Sequence, residues 1–365
     1  MLRFVISRST PPQHIAIIGA GMAGATCAHT LAQAGAVVSM FDKSRGPGGR
    51  LATRRLTWLD ANGQARTASV DHGAPGFAVR SAAFAQWLQQ APAAGTVHPW
   101  TPRLAPGSRP RDEAGPLWLP GPEMPALCRA LVQGLPARWS CSVDGLQQGP
   151  LGWQLSADGV GLPGRFDAVV LAAPPAQAAP LLAEHRRDWA QRASLALMQP
   201  CWTLMGVAER SPSDEALWDL GRPDVGPLAW VMRHDARPQR SAAAADSHWV
   251  VHAQAGWSRR HLEQPAPWVQ AELQAALDGW LGRTVTWRHA VVHRWRYAMP
   301  VATGMAPSEP CWWDSARGLG VCGDALGGGG VEAAWQSAQA LASAVLASCP
   351  TRLTPSPVAH HPAQP

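Results

Sequence analysis

Residues 15–50 read IAIIGAGMAGATCAHTLAQAGAVVSMFDKSRGPGGR, and this stretch decides the fold. The apolar run Ile15–Ile18 is typical of a buried parallel strand, and small or apolar residues at helical spacing come after it. Between the two lies the pattern G-x-G-x-x-G at positions 19–24, and a second apolar strand ends at Asp42. Because the acid stands at the right distance from the glycines, the stretch predicts a dinucleotide-binding β-α-β unit.

Each glycine of the pattern has a physical task. Gly19 permits the tight turn from strand to helix, Gly21 leaves room for the pyrophosphate, and Gly24 lets the helix pack closely on the strand. The helix N-terminus offers free N–H groups and the positive end of its dipole to the phosphates. Asp42 is expected to accept hydrogen bonds from the adenosine ribose.

Composition narrows the class of protein. The 365 residues suffice for two domains, and the formal charge of +6 is spread without basic runs, so no nucleic-acid surface is predicted. Seven widely spaced cysteines without a C-x-x-C pair favour reduced thiols and a cytoplasmic protein over a disulfide framework or a metal site. No apolar run reaches membrane-spanning length. We expect residues 1–13 and 350–365 to be disordered.

Two further glycine-rich segments point to a longer ligand than NAD. Directly after Asp42, the segment Lys43–Arg50 suits a backbone that passes close to FAD, with Arg50 reaching a phosphate. Near the other end of the chain, Gly323 and Asp324 precede a run of glycines and a helix. There we expect Asp324 to bind the ribityl or pyrophosphate region, while the helix N-terminus faces the N1/O2 edge of the flavin.

These segments resemble the renalase-type flavoproteins, relatives of the flavin amine oxidases within the glutathione-reductase-like FAD superfamily. The resemblance rests on GAGMAGATCA at 19–28 and FDKSRGPGGRLATRR at 41–55, is supported by the motif H-x-W-x-Y-A-x-P at 293–300, and covers residues 14–347. It implies an α/β fold with a Rossmann-like FAD domain of the glutathione-reductase or p-hydroxybenzoate-hydroxylase type. An α+β substrate domain, built on an antiparallel sheet, is expected to be inserted into it.

Strand patterns give the predicted domain boundaries. Apolar and polar residues alternate in the segments 201–208, 228–233 and 249–252, as in an antiparallel sheet with one covered face. The FAD-binding domain is therefore assigned to residues 14–80, 124–175 and 289–347. The substrate domain is assigned to residues 81–123 and 176–288.

The predicted cofactor is non-covalent FAD, because no flavin-linking cysteine or histidine motif is evident. For Asp71, in the segment D-H-G-A that resembles the family's flavin-proximal D-x-G-A, a simple turn role is an equally good interpretation. The predicted FAD-binding residues are Gly19, Gly21, Met22, Ala23, Gly24, Asp42, Lys43, Gly49, Arg50, Asp71, Gly73, Ala74, Gly323, Asp324, Gly330 and Val331.

The resemblance implies oxidation of dihydronicotinamides reduced at ring position 2 or 6, giving NAD(P)+ and, with O2, hydrogen peroxide. His252 is the first catalytic candidate, although its mid-strand setting also suits a core histidine. Trp230 and Arg233 are candidates for contacts with the donor's ring or phosphate. Three alternatives stay open: a flavin amine oxidase acting on a small amine, a non-catalytic flavin-binding protein, and an NAD-linked dehydrogenase, against which both glycine segments argue.

Overall fold

The computed structural model describes residues 14–91, 95–110, 115–214, 218–301 and 309–348. Its strands are β1 His14–Ile18, β2 Val37–Phe41, β3 Thr53–Leu59, β4 Ala65–Asp71, β5 Val97–Trp100, β6 Leu117–Pro120, β7 Ala137–Arg138, β8 Val143–Gly149, β9 Gly152–Ala157, β10 Val160–Gly161, β11 Ala168–Leu171, β12 Met198–Glu209, β13 Leu220–Gly221, β14 Leu228–Arg233, β15 Asp246–Ala253, β16 Trp287–Pro300, β17 Trp312–Asp314 and β18 Leu319–Val321. Its α-helices are α1 Met22–Gln33, α2 Ala82–Gln90, α3 Ala126–Leu131, α4 Pro175–Leu182, α5 Arg187–Leu195, α6 Ala255–Arg260, α7 Ala266–Leu281 and α8 Gly330–Ala347.

A six-stranded sheet holds the predicted β-α-β unit at its centre. The strand order is β17-β18-β11-β1-β2-β7, and every pairing is parallel except that of β17 with β18. Ile15 and Ile17 of β1 are fully buried, and the same core contains α1, α3 and α8 residues. Parallel strands end at one edge, so the loops after β1, β11 and β18 gather there, as expected of a nucleotide-binding crevice.

A second, antiparallel sheet has the strand order β13-β14-β15-β12-β16. The three segments expected to form it lie within β12, β14 and β15. Helix α7 covers one face, where Val269, Leu273 and Leu277 pack with Trp249 and other sheet residues. The sheet extends further along the chain than predicted, because β16 pairs with β12 up to Pro300 rather than leaving it near position 288.

Smaller elements connect the two sheets. Strands β3 and β4 form a hairpin, in the register Thr53 with Asp71. Ser81 caps α2, since its hydroxyl accepts a hydrogen bond from the Phe84 N–H (3.2 Å). Strands β5 and β6 pair across the proline-rich segment, and β8 to β10 form a three-stranded sheet.

The predicted disordered segments, 1–13 and 350–365, lie outside the described residues. Within the described part of the chain, none of the helices combines the length and the apolar character that crossing a membrane requires.

Candidate cofactor and active site

One large cleft, of about 2090 Å³, runs between the carboxyl edge of the six-stranded sheet and the antiparallel sheet. Its lining includes all three glycine-rich segments and residues of β14, β15 and β16. Pockets for drug-sized ligands usually measure about 300–1,000 Å³. The cleft is therefore large enough for an extended dinucleotide together with a second molecule.

The first glycine turn is built as its pattern predicts. A Cβ on Gly24 would lie 1.8 Å from the Gly19 carbonyl oxygen, and a Cβ on Gly19 would lie 2.6 Å from the Ala172 oxygen. Neither position tolerates a side chain, because backbone is the obstacle. At Gly21, which lines the cleft, the nearest atom to an added Cβ is the Gly49 Cα, at 3.7 Å. The space at Gly21 is thus left for a ligand, whereas Gly24 serves helix packing and does not line the cleft.

Hydrogen bonds hold Asp42, the first glycine turn and the second glycine segment in place relative to one another. The Asp42 carboxylate accepts hydrogen bonds from the N–H groups of Ala20 (2.6 Å) and Ser44 (2.7 Å), and the Gly48 N–H donates to the Ala20 carbonyl (2.9 Å). Lys43, Gly49, Met22 and Ala23, all predicted cofactor contacts, line the cleft beside them.

An ion pair joins the two ends of the chain across the cleft. Arg50 donates from Nη1 to Asp324 Oδ2 (2.9 Å) and from Nη2 to Asp324 Oδ1, and also from Nη1 to the Ala298 carbonyl (3.1 Å). Asp324 in turn accepts hydrogen bonds from the Gly329 N–H at its carbonyl (2.8 Å) and the Gly330 N–H at Oδ2 (3.4 Å), where α8 begins. Sequence reasoning placed both side chains at the cofactor but missed that they pair with each other.

The floor of the cleft is bare backbone, which fits FAD. At Gly323, Gly328 and Gly330 an added Cβ would meet nothing within 4 Å, and all three residues line the cleft together with Val331. Gly328 and Gly330 have positive φ angles (84° and 91°), which by themselves favour glycine. Gly323 is extended (φ 162°), so only there does the open space point to a ligand held near the N-terminus of α8. When FAD is bound, the two glycine turns and both helix N-termini would hold its phosphates and the edge of its ring.

The structure corrects the predicted role of Asp71, whose carboxylate does not line the cleft. It is 1 % exposed and accepts hydrogen bonds from Thr53 Oγ1, the Met124 N–H (3.2 Å) and two arginines of the loop after β14. The neighbouring Gly73 and Ala74 do line the cleft. A Cβ on Gly73 would lie 2.0 Å from the Arg50 oxygen, so the D-H-G-A segment packs directly on the Arg50 loop.

Of the three predicted catalytic residues, His252 and Trp230 line the cleft and stand opposite each other in the register of β14 and β15. Arg233 does not. Its side chain is 5 % exposed and donates to the Asp214 carbonyl and to Asp235 Oδ2 (3.4 Å), so its charge is used inside the protein. This placement argues against contact between Arg233 and a donor, because strand alternation turns it away from the cleft.

Sequence reasoning missed an aromatic group around His252. The ring of His72 stacks on Trp295 (5.1 Å between centroids) and meets His293 edge-on (4.9 Å), while His252 Nε2 lies 3.3 Å from the His72 carbonyl oxygen. The Trp295 indole N–H donates to the same oxygen (3.2 Å). The motif H-x-W at 293–295 carried the signal, since residues two apart on a strand share a face.

These histidines are uncharged at neutral pH. Burial, with the charge of His293 as the next cause, lowers the pKa of His72 to about 3. Burial also lowers the pKa of His252 to about 4, and burial together with the charge of Arg54 lowers that of His293 to about 4. The cleft wall beside Trp295 thus consists of flat, neutral rings.

Comparison with known proteins gives the same class of fold. Residues 17–91 match the family model of the NAD(P)-binding Rossmann-like domain. Fifty residues, 14% of this chain, are 44% identical to an L-amino-acid oxidase of Daboia russelii; the match spans about a tenth (10%) of that relative.

Solved structures cover nearly the whole chain. A protein of Exiguobacterium sp. 255-15 described as a protoporphyrinogen oxidase superposes with a TM-score of 0.69 at 11% identity, covering 93% of this chain and 100% of that one. A putrescine oxidase variant gives a TM-score of 0.61 at 14% identity (92% and 100% covered), as does an oxidoreductase of Methanosarcina mazei (90% and 100%). The chain has the fold of these oxidases. The predicted α/β fold with a Rossmann-like domain is confirmed at the level of fold, and the assignment as an oxidoreductase that uses FAD stays a prediction.

Proposed function

We propose that this chain is an FAD-dependent oxidase that takes a hydride from an anionic dinucleotide donor, a dihydroNAD(P) reduced at ring position 2 or 6. The charge of the cleft carries the proposal. Four carboxylates of the described residues line it, against these ten cations: Lys43, Arg45, Arg50, Arg55, Arg80, Arg109, Arg129, Arg222, Arg294 and Arg296. Three of these cations pair with acids outside the lining, Arg294 and Arg296 with Glu263 and Arg109 with Asp224, so the surplus is smaller than the lining alone gives. The positive charge that remains after the two phosphates of FAD are bound attracts a phosphorylated donor and repels a protonated amine.

Arg222 and Trp230 are the side chains best suited to recognise that donor. The Arg222 guanidinium lies over the Trp230 ring, 4.6 Å from its centroid, and Nη1 donates to the Pro110 carbonyl. A guanidinium held flat on an indole keeps its N–H groups in a fixed plane, which suits phosphate oxygens. Trp230 also stands opposite His252, so phosphate and ring recognition would occur on neighbouring strands.

The chemistry requires little acid–base help from the protein. When bound, FAD accepts the hydride, and its reoxidation by O2 with one further proton gives hydrogen peroxide. Loss of the hydride makes the nicotinamide ring aromatic and releases no proton, so the neutral His252 and His293 need not act as bases. Together with Trp295 they offer flat surfaces against which a planar ring can pack.

The test is a spectrum followed by anaerobic reduction. We expect purified protein to be yellow, to release FAD on denaturation, and to bleach with 2- or 6-dihydroNAD(P) in the absence of O2. Readmitted O2 should restore the colour and form hydrogen peroxide. Protein without flavin would overturn the proposal. Bleaching by amines alone would make the chain an amine oxidase, and flavin that no donor reduces would make it a binding protein.

A charge variant tests the donor class directly. Arg222→Gln should raise the KM for the dihydronicotinamide at least tenfold while FAD stays bound, because the phosphate loses a charge-assisted hydrogen bond. Arg66→Gln is the matched control, since Arg66 is exposed and paired with Asp60 on the β3–β4 hairpin. Equal kinetics of the Arg222 variant and the control would refute an anionic donor at this position.

A further inference from the structure

Asp71 belongs to a buried group of four side chains behind the cleft wall, here called the charge cluster: Asp71, His234, Arg237 and Arg240. Asp71 Oδ2 lies 2.7 Å from Arg240 Nη2, 3.2 Å from His234 Nε2 and 3.3 Å from Arg237 Nη1. All four side chains are at most 5 % exposed. The cluster links β4 to the loop after β14, and thus joins the β3–β4 hairpin to the antiparallel sheet.

The cluster carries one net positive charge. Burial lowers the pKa of Arg237 only to about 10, so it stays protonated, and burial lowers that of His234 to about 4, so it is neutral. Burial alone would raise the pKa of Asp71, but the His234 hydrogen bond and both guanidiniums hold it well below its usual range. One carboxylate therefore faces two guanidiniums.

Neighbouring acids do not cancel this charge, because they pair with other cations: Glu123 and Asp246, which line a small pocket with Asp71 and Arg240, pair with Arg129 and Arg288. Asp235 accepts from Arg210 Nη2 (3.0 Å) and Arg233 Nη2 (3.4 Å), and is itself outnumbered. A buried surplus charge is screened weakly by solvent, so its field extends into neighbouring space.

The cluster touches the part of the cleft wall next to the candidate flavin position. Arg237 Nη2 donates to the carbonyl of Pro75 (3.1 Å), which lines the cleft directly after Gly73 and Ala74. The charge of Arg237 also contributes to the lowered pKa of His252 on the opposite side. The positive charge of the cluster therefore acts electrostatically on groups that line the cleft.

We infer that the charge cluster tunes the reduction potential of the bound flavin, its net positive charge favouring the reduced, anionic form over the neutral oxidised form. The inference rests on the proposed function, because it requires FAD in this cleft. Asp71, Arg237 and Arg240 then act as positioning residues, through charge and through the wall they support, and not by contact with the cofactor.

The test compares flavin potentials of variants that move the cluster's charge in opposite directions. Arg240→Gln removes the surplus, and Asp71→Asn doubles it. We expect the first to weaken binding of reduced relative to oxidised flavin about tenfold, which lowers a two-electron potential by about 30 mV. The second should raise the potential, and the double variant Asp71→Asn/Arg240→Gln should return close to the wild type. Loosened packing alone would shift all three in one direction.

A control and a fallback variant keep the outcomes distinct. Arg66→Gln removes an exposed cation from the same hairpin and should leave the potential unchanged. If Asp71→Asn does not fold, Arg240→Gln compared with the charge-conserving Arg240→Lys still decides the sign. FAD that binds and turns over with a potential unmoved by Arg240→Gln overturns the inference but leaves the proposed function intact. Protein that never binds FAD overturns both.

Discussion

At the scale of single residues, the glycines of the first turn have two different roles: one is needed for folding and another leaves space for a ligand. Gly24 is required by the protein itself, because any side chain there would strike the Gly19 carbonyl. Gly21 has ordinary backbone angles (φ −74°, ψ −173°) and open space beside it. Gly24 is therefore constrained by packing within the protein, whereas Gly21 is constrained by the space that a ligand needs.

Alanine substitutions should expose this difference. Gly24→Ala should destabilise the protein by about 1–3 kcal/mol, because overpacking forces the backbone apart. Gly21→Ala should leave the melting temperature of the FAD-free protein within about a degree and yet weaken FAD binding at least tenfold. Thermal unfolding and FAD titration of both variants check this, and equal stability losses would contradict it.

Asp324 supports a second prediction at this scale. Asp324→Ala removes the partner of Arg50 and the acceptor for the Gly330 N–H, so FAD should dissociate at least tenfold faster. Asp60→Ala, which breaks the exposed pair with Arg66, is the matched control and should leave FAD retention unchanged. Unaltered FAD release from the Asp324 variant would show that this end of the chain does not hold the cofactor.

At the scale of elements, strands β15 and β16 and the turn after β4 bring His252, His293 and His72 into one wall. Each has a lowered pKa in the folded protein, with burial as the largest cause. Between pH 6.5 and about 4 the unfolded chain therefore binds protons that the folded chain does not. Stability is complete above pH 6.5 and is lost as the pH falls through this window.

The pH dependence of the free energy of unfolding tests whether these histidines have lowered pKa values. Between pH 7 and 5 the free energy of unfolding should fall, and His252 alone should account for about 1–2 kcal/mol of the loss. His252→Gln should flatten the curve in this range. An exposed carboxylate cannot mimic the effect, because the ordinary pKa of a carboxyl lies near 4. A curve of the same steepness in the variant would show that His252 is charged in the folded state.

Contacts between residues close together in the sequence could be predicted, whereas contacts between residues far apart could not. The unit from β1 to Asp42 was predictable because its contacts are local and its glycines are forced by backbone geometry. Arg233 was misplaced because it lies three positions after Trp230 on β14, and strand alternation puts residues at odd spacing on opposite faces. The Arg50–Asp324 pair joins positions far apart in the sequence, so only the folded chain brings them together.

At the scale of the whole molecule, the cleft lies between two sheets, and the ion pair of Arg50 with Asp324 connects two distant parts of its lining. A ligand that spans it binds the folded state alone, and at a hundredfold excess over Kd this contributes about 2.7 kcal/mol. We expect added FAD to raise the melting temperature of the FAD-free protein by several degrees. The Asp324→Ala variant should show a smaller rise, and a melting temperature insensitive to FAD would contradict a cofactor held by both ends.

The separation of Arg50 from Asp324 has a consequence for biosynthesis. A ribosome adds about 5–20 residues per second, so the phosphate-binding turn emerges many seconds before its counterpart. During that interval β1 lacks β11, and β11 lacks β18, so the growing sheet presents an unpaired edge. Cofactor capture must then follow translation of α8, and a nascent chain halted before that helix would carry the fingerprint and yet remain flavin-free.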